Sequence, residues 1–321
     1  MTLVERLDRF QRAHPRAGLP LAVAYKFFDD QGSYLAALIA YYGLLSLVPL
    51  LLLSTTILNF VLEGNESLQR KVFDSALGQF PVVGHQLANP NGVSGSSLGL
   101  TVGIVGTLFF GLNVAQAGQN AMNTIWRVPR NERPNPFKSR GRSLLLLSLG
   151  GISVLLTTGL AVLGSQVDGF PITTKVAIGL GTLALNAAFF TAGFRLATAR
   201  PLTLRQTVPG AAGAAVVWQG LQYVGALYVN HAVRGASDTN GTFAVFLGLM
   251  AWLYLGSLIA VIAVEYNTVR SLKLYPRSLL TPFTDDVDLT SADVKSYTQQ
   301  AEAQRFKGYE EITVRFPQPP E

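Results

Sequence analysis

Between Ser75 and Trp126 the chain carries no Asp, Glu, Lys or Arg, and from Leu98 the stretch is largely apolar until it runs into Arg127, Arg130, Arg133, Lys138, Arg140 and Arg142. No other feature narrows the possible folds as far. Roughly 20 apolar residues suffice for a helix to cross a bilayer, and cations packed directly after one mark the side that is not translocated. At about 100° per residue, Gly99, Gly103, Gly106, Asn113, Gln116, Asn120 and Thr124 fall in one sector of such a helix. One side is therefore small and polar, and the rest is Leu, Ile, Val and Phe. Trp126, an interfacial type of residue, stands at the exit.

Five further uncharged or nearly uncharged runs repeat the theme. With 49% apolar and only 14% charged residues among 321, the chain departs from the quarter or so of charged residues usual in soluble domains. We therefore expect an all-α polytopic membrane protein, a bundle of six transmembrane helices over about 33–62, 98–126, 143–167, 176–198, 206–230 and 239–267. Residues 1–32 read as cytoplasmic or interfacial amphipathic helices, in which Leu3, Leu7 and Phe10 share one face and rest on the bilayer or on the bundle. Residues 63–96 read as a loop with an amphipathic piece from Ser67 to Phe80. Residues 268–321 return to polar composition, end in PQPPE, and read as a flexible cytoplasmic tail whose acids Asp285, Asp286 and Asp288 are a solvated run. A cleavable signal peptide is not expected, since about thirty polar residues precede the first long apolar run.

The basic residues test this arrangement independently. The N-terminal segment, second loop, fourth loop and tail hold five, six, three and seven Lys and Arg, against two, one and one in the other loops. That asymmetry leads us to expect both termini in the cytoplasm. The net charge of +6 then reflects orientation against anionic headgroups, with membrane lipids as partners and no nucleic acid. Protein partners are not legible.

Chemistry has to be sought inside the spans. Amides facing acyl chains are costly, so the seam of the second span, and a similar one on the fifth (Ala212, Ala215, Gln219, Gln222, Tyr223, Ala226, Asn230), should face protein or water. Either they line a pathway or they pack helices through small residues and interhelical hydrogen bonds. The pathway candidates are Asn113, Gln116, Asn120, Gln219, Gln222 and Tyr223, with Tyr42 and Ser46 as a near wall. Pro49 interrupts the first span as a hinge or a static kink, with Ser46 or a neighbouring helix satisfying the freed carbonyl. Glu265 is the one acid inside the limits of a span: a gate residue, or an interfacial carboxylate paired with Arg270 or the basic second loop. The chain has no Cys and three His, His14, His85 and His231, and no HExxH, P-loop or dinucleotide fingerprint. No enzyme, cofactor or metal is expected.

Three stretches carry a family resemblance: AALIAYYGLLSLVPLLL (Ala36 to Leu52), NAMNTIWRVPRNERP (Asn120 to Pro134) and GTFAVFLGLMAWLYLGSLIAVIAVEYN (Gly241 to Asn267). The chain resembles the YihY/BrkB family of bacterial inner-membrane proteins, once labelled ribonuclease BN. Trp252, Tyr254, Glu265 and Asn267 fall where that family has Trp-x-Tyr and a terminal Gly-Ala-Glu-x-Asn. Ala263-Val264 replaces Gly-Ala here, and TNGTF replaces the usual Tyr-Gly-x-x-Gly. The resemblance implies six membrane helices and a role in transport or envelope integrity, with the nuclease label misassigned. The reading is thus a transporter-like protein for a lipid, amphiphile or small solute, against a non-transporting envelope scaffold and, more remotely, a membrane-associated ribonuclease.

Overall fold

A computed structural model describes residues 3–61, 97–165, 171–228, 238–284 and 287–316. The 63–96 loop, Asp168, Asn230, His231, Asp285, Asp286 and the PQPPE ending lie outside the described residues. Among those described, the regular structure is helical throughout: α1 (Leu3–Ala13), α2 (Leu19–Asp29), α3 (Gly32–Val61), α4 (Ser97–Ile125), α5 (Pro136–Ser165), α6 (Ile172–Ala197), α7 (Leu204–Tyr228), α8 (Asp238–Leu272) and α9 (Ser291–Glu302). Three contain stretches long and apolar enough to cross a membrane, Pro136–Ala161, Ile172–Ala197 and Phe246–Leu272, and Gly32–Leu47 is a shorter apolar one.

The six long helices close on themselves. α3 packs on α4, α4 on α5, α5 on α6, α6 on α7, α7 on α8, and α8 returns to α3. Side chains such as Val105, Phe109, Leu145, Leu155, Val216 and Val217 stand exposed on the outside, the arrangement expected where the surrounding medium is hydrocarbon. Close approach between neighbours is set by glycine. A Cβ on Gly106 of α4 would come within 2.8 Å of the Pro49 ring on α3, so the proline of the first long helix lies against a gap left in the second. Ser46 does not serve Pro49 as expected: its Oγ donates to Gly43 O at 2.8 Å, one turn back on its own helix.

The largest core gathers at one end, where Ala36, Met122, Ile125, Trp126, Phe194, Ala211, Ala214, Val261 and Val264 meet from α3, α4, α6, α7 and α8. A second cluster, Leu47, Leu249 and Trp252, lies further along. Phe190, Trp218 and Trp252 connect α6, α7 and α8, Phe190 edge to face on Trp218 with centroids 6.4 Å apart and Trp218 tilted against Trp252 at 5.1 Å. The end holding Trp126 also holds both described chain ends and the basic segments, and is called the basic end below.

Two expectations need correction there. The second loop is shorter than its charges suggest, because Asn135 caps α5: its Oδ1 accepts the Lys138 amide at 2.9 Å and Pro136 supplies a preset first turn. Lys138, Arg140 and Arg142 therefore sit on the helix. The tail is not a flexible appendage over 274–284 and 287–316. Arg277 is fully buried, paired with Asp29 at 2.9 Å and with Asp293, and held over the rings of Tyr25 and Tyr297. Asp293 in turn closes a capping box with Thr290 that starts α9. Beyond α9, Arg305 pairs with Glu132 at 2.8 Å and Arg130 stacks on Phe306. Polar composition thus marks water contact at this end rather than disorder.

Candidate functional site

Beneath that cap lies a buried ionic cluster. Lys26, in the short apolar helix α2, sends its three donor positions to Asp30, to Ile125 O at 2.8 Å and to Glu265 Oε2 at 2.9 Å. Arg127 Nη2 reaches Asp30 Oδ1 at 2.8 Å. That contact is an ion pair without an aligned hydrogen bond, since both atoms lack a bonding partner by angle. Lys26 and Glu265 have no solvent exposure at all. Two cations and two carboxylates, from α2, the α4 exit and α8, thus share one water-excluded site. Glu265 Oε1 and Trp126 Nε1 are buried without a hydrogen-bond partner among the described residues. An ionic group taken out of water survives only when paired, and deleting one member leaves the other stranded. The cluster therefore ties α2 to the bundle and closes the basic end.

Buried amides join the helices around it. Asn123 Oδ1 accepts the Ala199 amide at 2.7 Å, linking α4 to the α6–α7 connection. Asn267 does more. Its Nδ2 donates to Thr207 O at 2.9 Å and its Oδ1 accepts the Gly210 amide at 2.8 Å, on either side of Pro209, where α7 lacks a backbone donor. The Arg205 carbonyl that Pro209 leaves free accepts from Arg270 at 3.3 Å. Gly210 makes this contact possible, since a Cβ there would stand 2.2 Å from Ala263 O.

The expected pathway residues are placed unevenly. Tyr42, Ser46, Asn113, Gln116 and Gln222 are half-buried. Gln222 Oε1 is buried without a hydrogen-bond partner among the described residues. Asn120 is exposed at the basic end, where it and Thr124 accept from Arg133 at 3.1 and 3.4 Å. Burial, with Arg130 close by, lowers the pKa of that guanidinium. Gln219 is exposed and Tyr223 is 70% exposed, so the inward orientation expected of the fifth-span seam does not hold for them. The face of α7 turned to the bundle is Gly210, Ala211, Ala214, Ala215 and Trp218, because small residues and an aromatic pack on α8 and α6 more closely than amides would. Pro49 is buried against Gly106. Arg270 serves α7 rather than Glu265.

The matched family profile, described as virulence factor BrkB, covers residues 23–283. The chain belongs to the BrkB family. A curated relative, a UPF0761 membrane protein of Psychrobacter sp. (strain PRwf-1), is 24% identical over 277 residues, which is 82% of this chain and 51% of the relative. The chain thus spans about half the length of that protein. No solved structure matches significantly. All four members of the ionic cluster, together with Asn123, Gly210 and Asn267, lie inside the BrkB match.

Within that match, sequence reasoning missed Lys26, Asp30 and Asn123 as site residues. One signal was present for the first two: a lone Lys in the apolar run LPLAVAYKFFDD, with an acid four residues on, is the spacing of a helical ion pair. Among the described residues no group of three or more His, Cys, Asp or Glu could hold a metal ion.

Proposed function

We propose that this BrkB-family membrane protein is transporter-like, crossing a bacterial inner membrane six times with both termini in the cytoplasm, and passes a lipid, amphiphile or small solute. Asn113, Gln116 and Gln222 offer amides to the passing molecule, Tyr42 and Ser46 form the near wall, and Glu265 with Lys26 holds the cytoplasmic exit shut. Anionic lipid headgroups are its partners at that face, and no catalytic step is assigned. The observation that carries the reading is that these three amides are half-buried and that Gln222 Oε1 is buried without a hydrogen-bond partner among the described residues. Amides serving only as glue between helices would be bonded to each other.

The test is translocation of a short-chain, fluorescently labelled phosphatidylglycerol and release of carboxyfluorescein from proteoliposomes. Wild type should accelerate one of them. Gln116→Leu should slow it about tenfold, the loss of one polar contact worth ~1.4 kcal/mol. Unchanged flux in Gln116→Leu would count against the pathway.

A non-transporting scaffold is the second reading. What favours it is the tight seating of Gly106 on Pro49 and of Gly210 on Ala263, with Gln219 and Tyr223 turned outward. Absence of flux for both probes, with the protein folded, would support it.

A further inference from the structure

α1 is attached to the protein by the wrong side. An amphipathic helix on a water-soluble surface buries its apolar stripe and wets its polar one. Here Gln11 is buried and donates to Arg277 O at 2.5 Å, Asp8 accepts the Leu279 amide at 2.9 Å, and Arg12 donates to Ser278 Oγ at 2.8 Å and Asp288 O at 2.9 Å. Leu7 and Phe10, about 100° or more around the helix from the centre of that docking face, are 51% and 56% exposed. Asp8, Gln11 and Arg12 are thus spent on the tail, while Leu7 and Phe10, on the apolar face, stand about half exposed, with only the His14 ring of the adjoining turn stacked on Phe10 among the described ring pairs.

The geometry points to the bilayer interface as what covers that face: α1 is an interfacial helix whose Leu7 and Phe10 sit among acyl chains while the tail fixes its position. Two observations favour lipid over a protein partner. Large aromatic side chains stand exposed near helix ends as well: Phe28 in the last turn of α2 at 62%, Tyr34 in the first turn of α3 at 73%, and Phe137 in the first turn of α5 at 86%. Aromatic rings standing out at the start of spans are the belt expected at headgroup depth. The cations around them, Arg6, Arg16, Lys138 and Arg140, are exposed at the same end, as suits an anionic headgroup layer.

The chain has no cysteine, so single-cysteine labelling of the full-length protein is clean. Phe10→Cys and, independently, Leu7→Cys would carry an environment-sensitive fluorophore in phosphatidylcholine–phosphatidylglycerol vesicles. Glu302→Cys on α9 serves as the aqueous reference. Quenching should come from nitroxides on the lipid acyl chains, with blue-shifted emission and protection from an aqueous quencher. The Glu302 site should show the reverse. Aqueous quenching at positions 7 and 10 equal to that at 302 would overturn the proposal. Protection from both quenchers, with self-transfer between labelled copies, would also overturn it in favour of a dimer contact. Retained helicity of each labelled variant is the folding control. None of these readouts depends on transport, so the proposal stands or falls apart from the flux assay.

Discussion

The basic end and the middle of the bundle differ in where their polar side chains bond, although some hydroxyls of the basic end, such as Thr198 and Thr268, also turn back on their own helix. At the basic end polar side chains bond across elements: Lys26 to Glu265, Asn267 to α7, Asn123 to Ala199, Arg277 to Asp29 and Asp293. In the middle, hydroxyls turn back on their own helix, as Ser46 does to Gly43, Thr157 to Ser153, Thr191 to Ala187 and Ser257 to Leu253. A hydroxyl bonded one turn back holds no neighbour in place. The basic end of the bundle is therefore fixed by directional, desolvated bonds between elements.

That contrast can be broken most forcefully at the ionic cluster. Lys26→Met or Glu265→Leu should each destabilise the protein by about 3–5 kcal/mol, because each strands a buried charge, and the double substitution should cost less than the sum of the two. Thermal unfolding in detergent, read as a double-mutant cycle, measures this. Additive, small effects would mean that the basic end is not held by the pair.

Glycine gives a graded version of the same test. Gly210→Ala at the basic end drives a methyl into Ala263 O and should cost on the order of 1–3 kcal/mol or more. Gly118→Ala, on α4 with nothing within 4 Å, should instead stabilise by about 0.5–1 kcal/mol through helix propensity. The same melting assay compares them.

Acid provides a smaller effect confined to the cap. Burial raises the pKa of Asp8, but the Leu279 amide, Gln11 and Arg12 outweigh it and hold the carboxyl below its ordinary value of 3.8. A depressed carboxyl pKa stabilises the folded form above the unfolded value and loses that contribution as pH falls toward the folded one. The contact between α1 and the tail should therefore hold above about pH 4 and loosen below it, and Asp8→Asn should remove this dependence. Hydrogen exchange at the Leu279 amide is the measurement. Smallest of all should be Gln219→Leu, within about 0.5 kcal/mol of wild type, since its side chain is already exposed; a larger loss would place Gln219 against something.

Much of the fold was legible because the signals that define it are local. The uncharged runs announce the long helices, and the asymmetry of Lys and Arg brings their ends to one side, where contacts such as Arg142 to Thr198 and Arg305 to Glu132 now join them. The site was legible only in part. Glu265 stands out as an acid within an apolar run, but its partner is mainly Lys26, from the far end of the sequence, with Arg127 of the second loop nearby and Arg270 bonded to α7 instead. On α7 the inward face lies about one residue's rotation from the amide seam, since Gln219 and Tyr223 stand exposed while Ala211, Ala214 and Ala215 are buried. Ala211, Ala214 and Trp218 set the rotation instead.

By itself the order of residues determined the helices, their approximate limits and the end at which the charges collect, since hydropathy and charge act over a few neighbouring positions. Which face of each helix meets which neighbour was decided only by the tertiary structure. These helices are apolar nearly all round, so lipid and protein reward the same side chains and hydropathy cannot choose between them. The choice falls to shape, a glycine against a proline ring or a carbonyl, and to pairings between residues as far apart in the chain as Lys26 and Glu265.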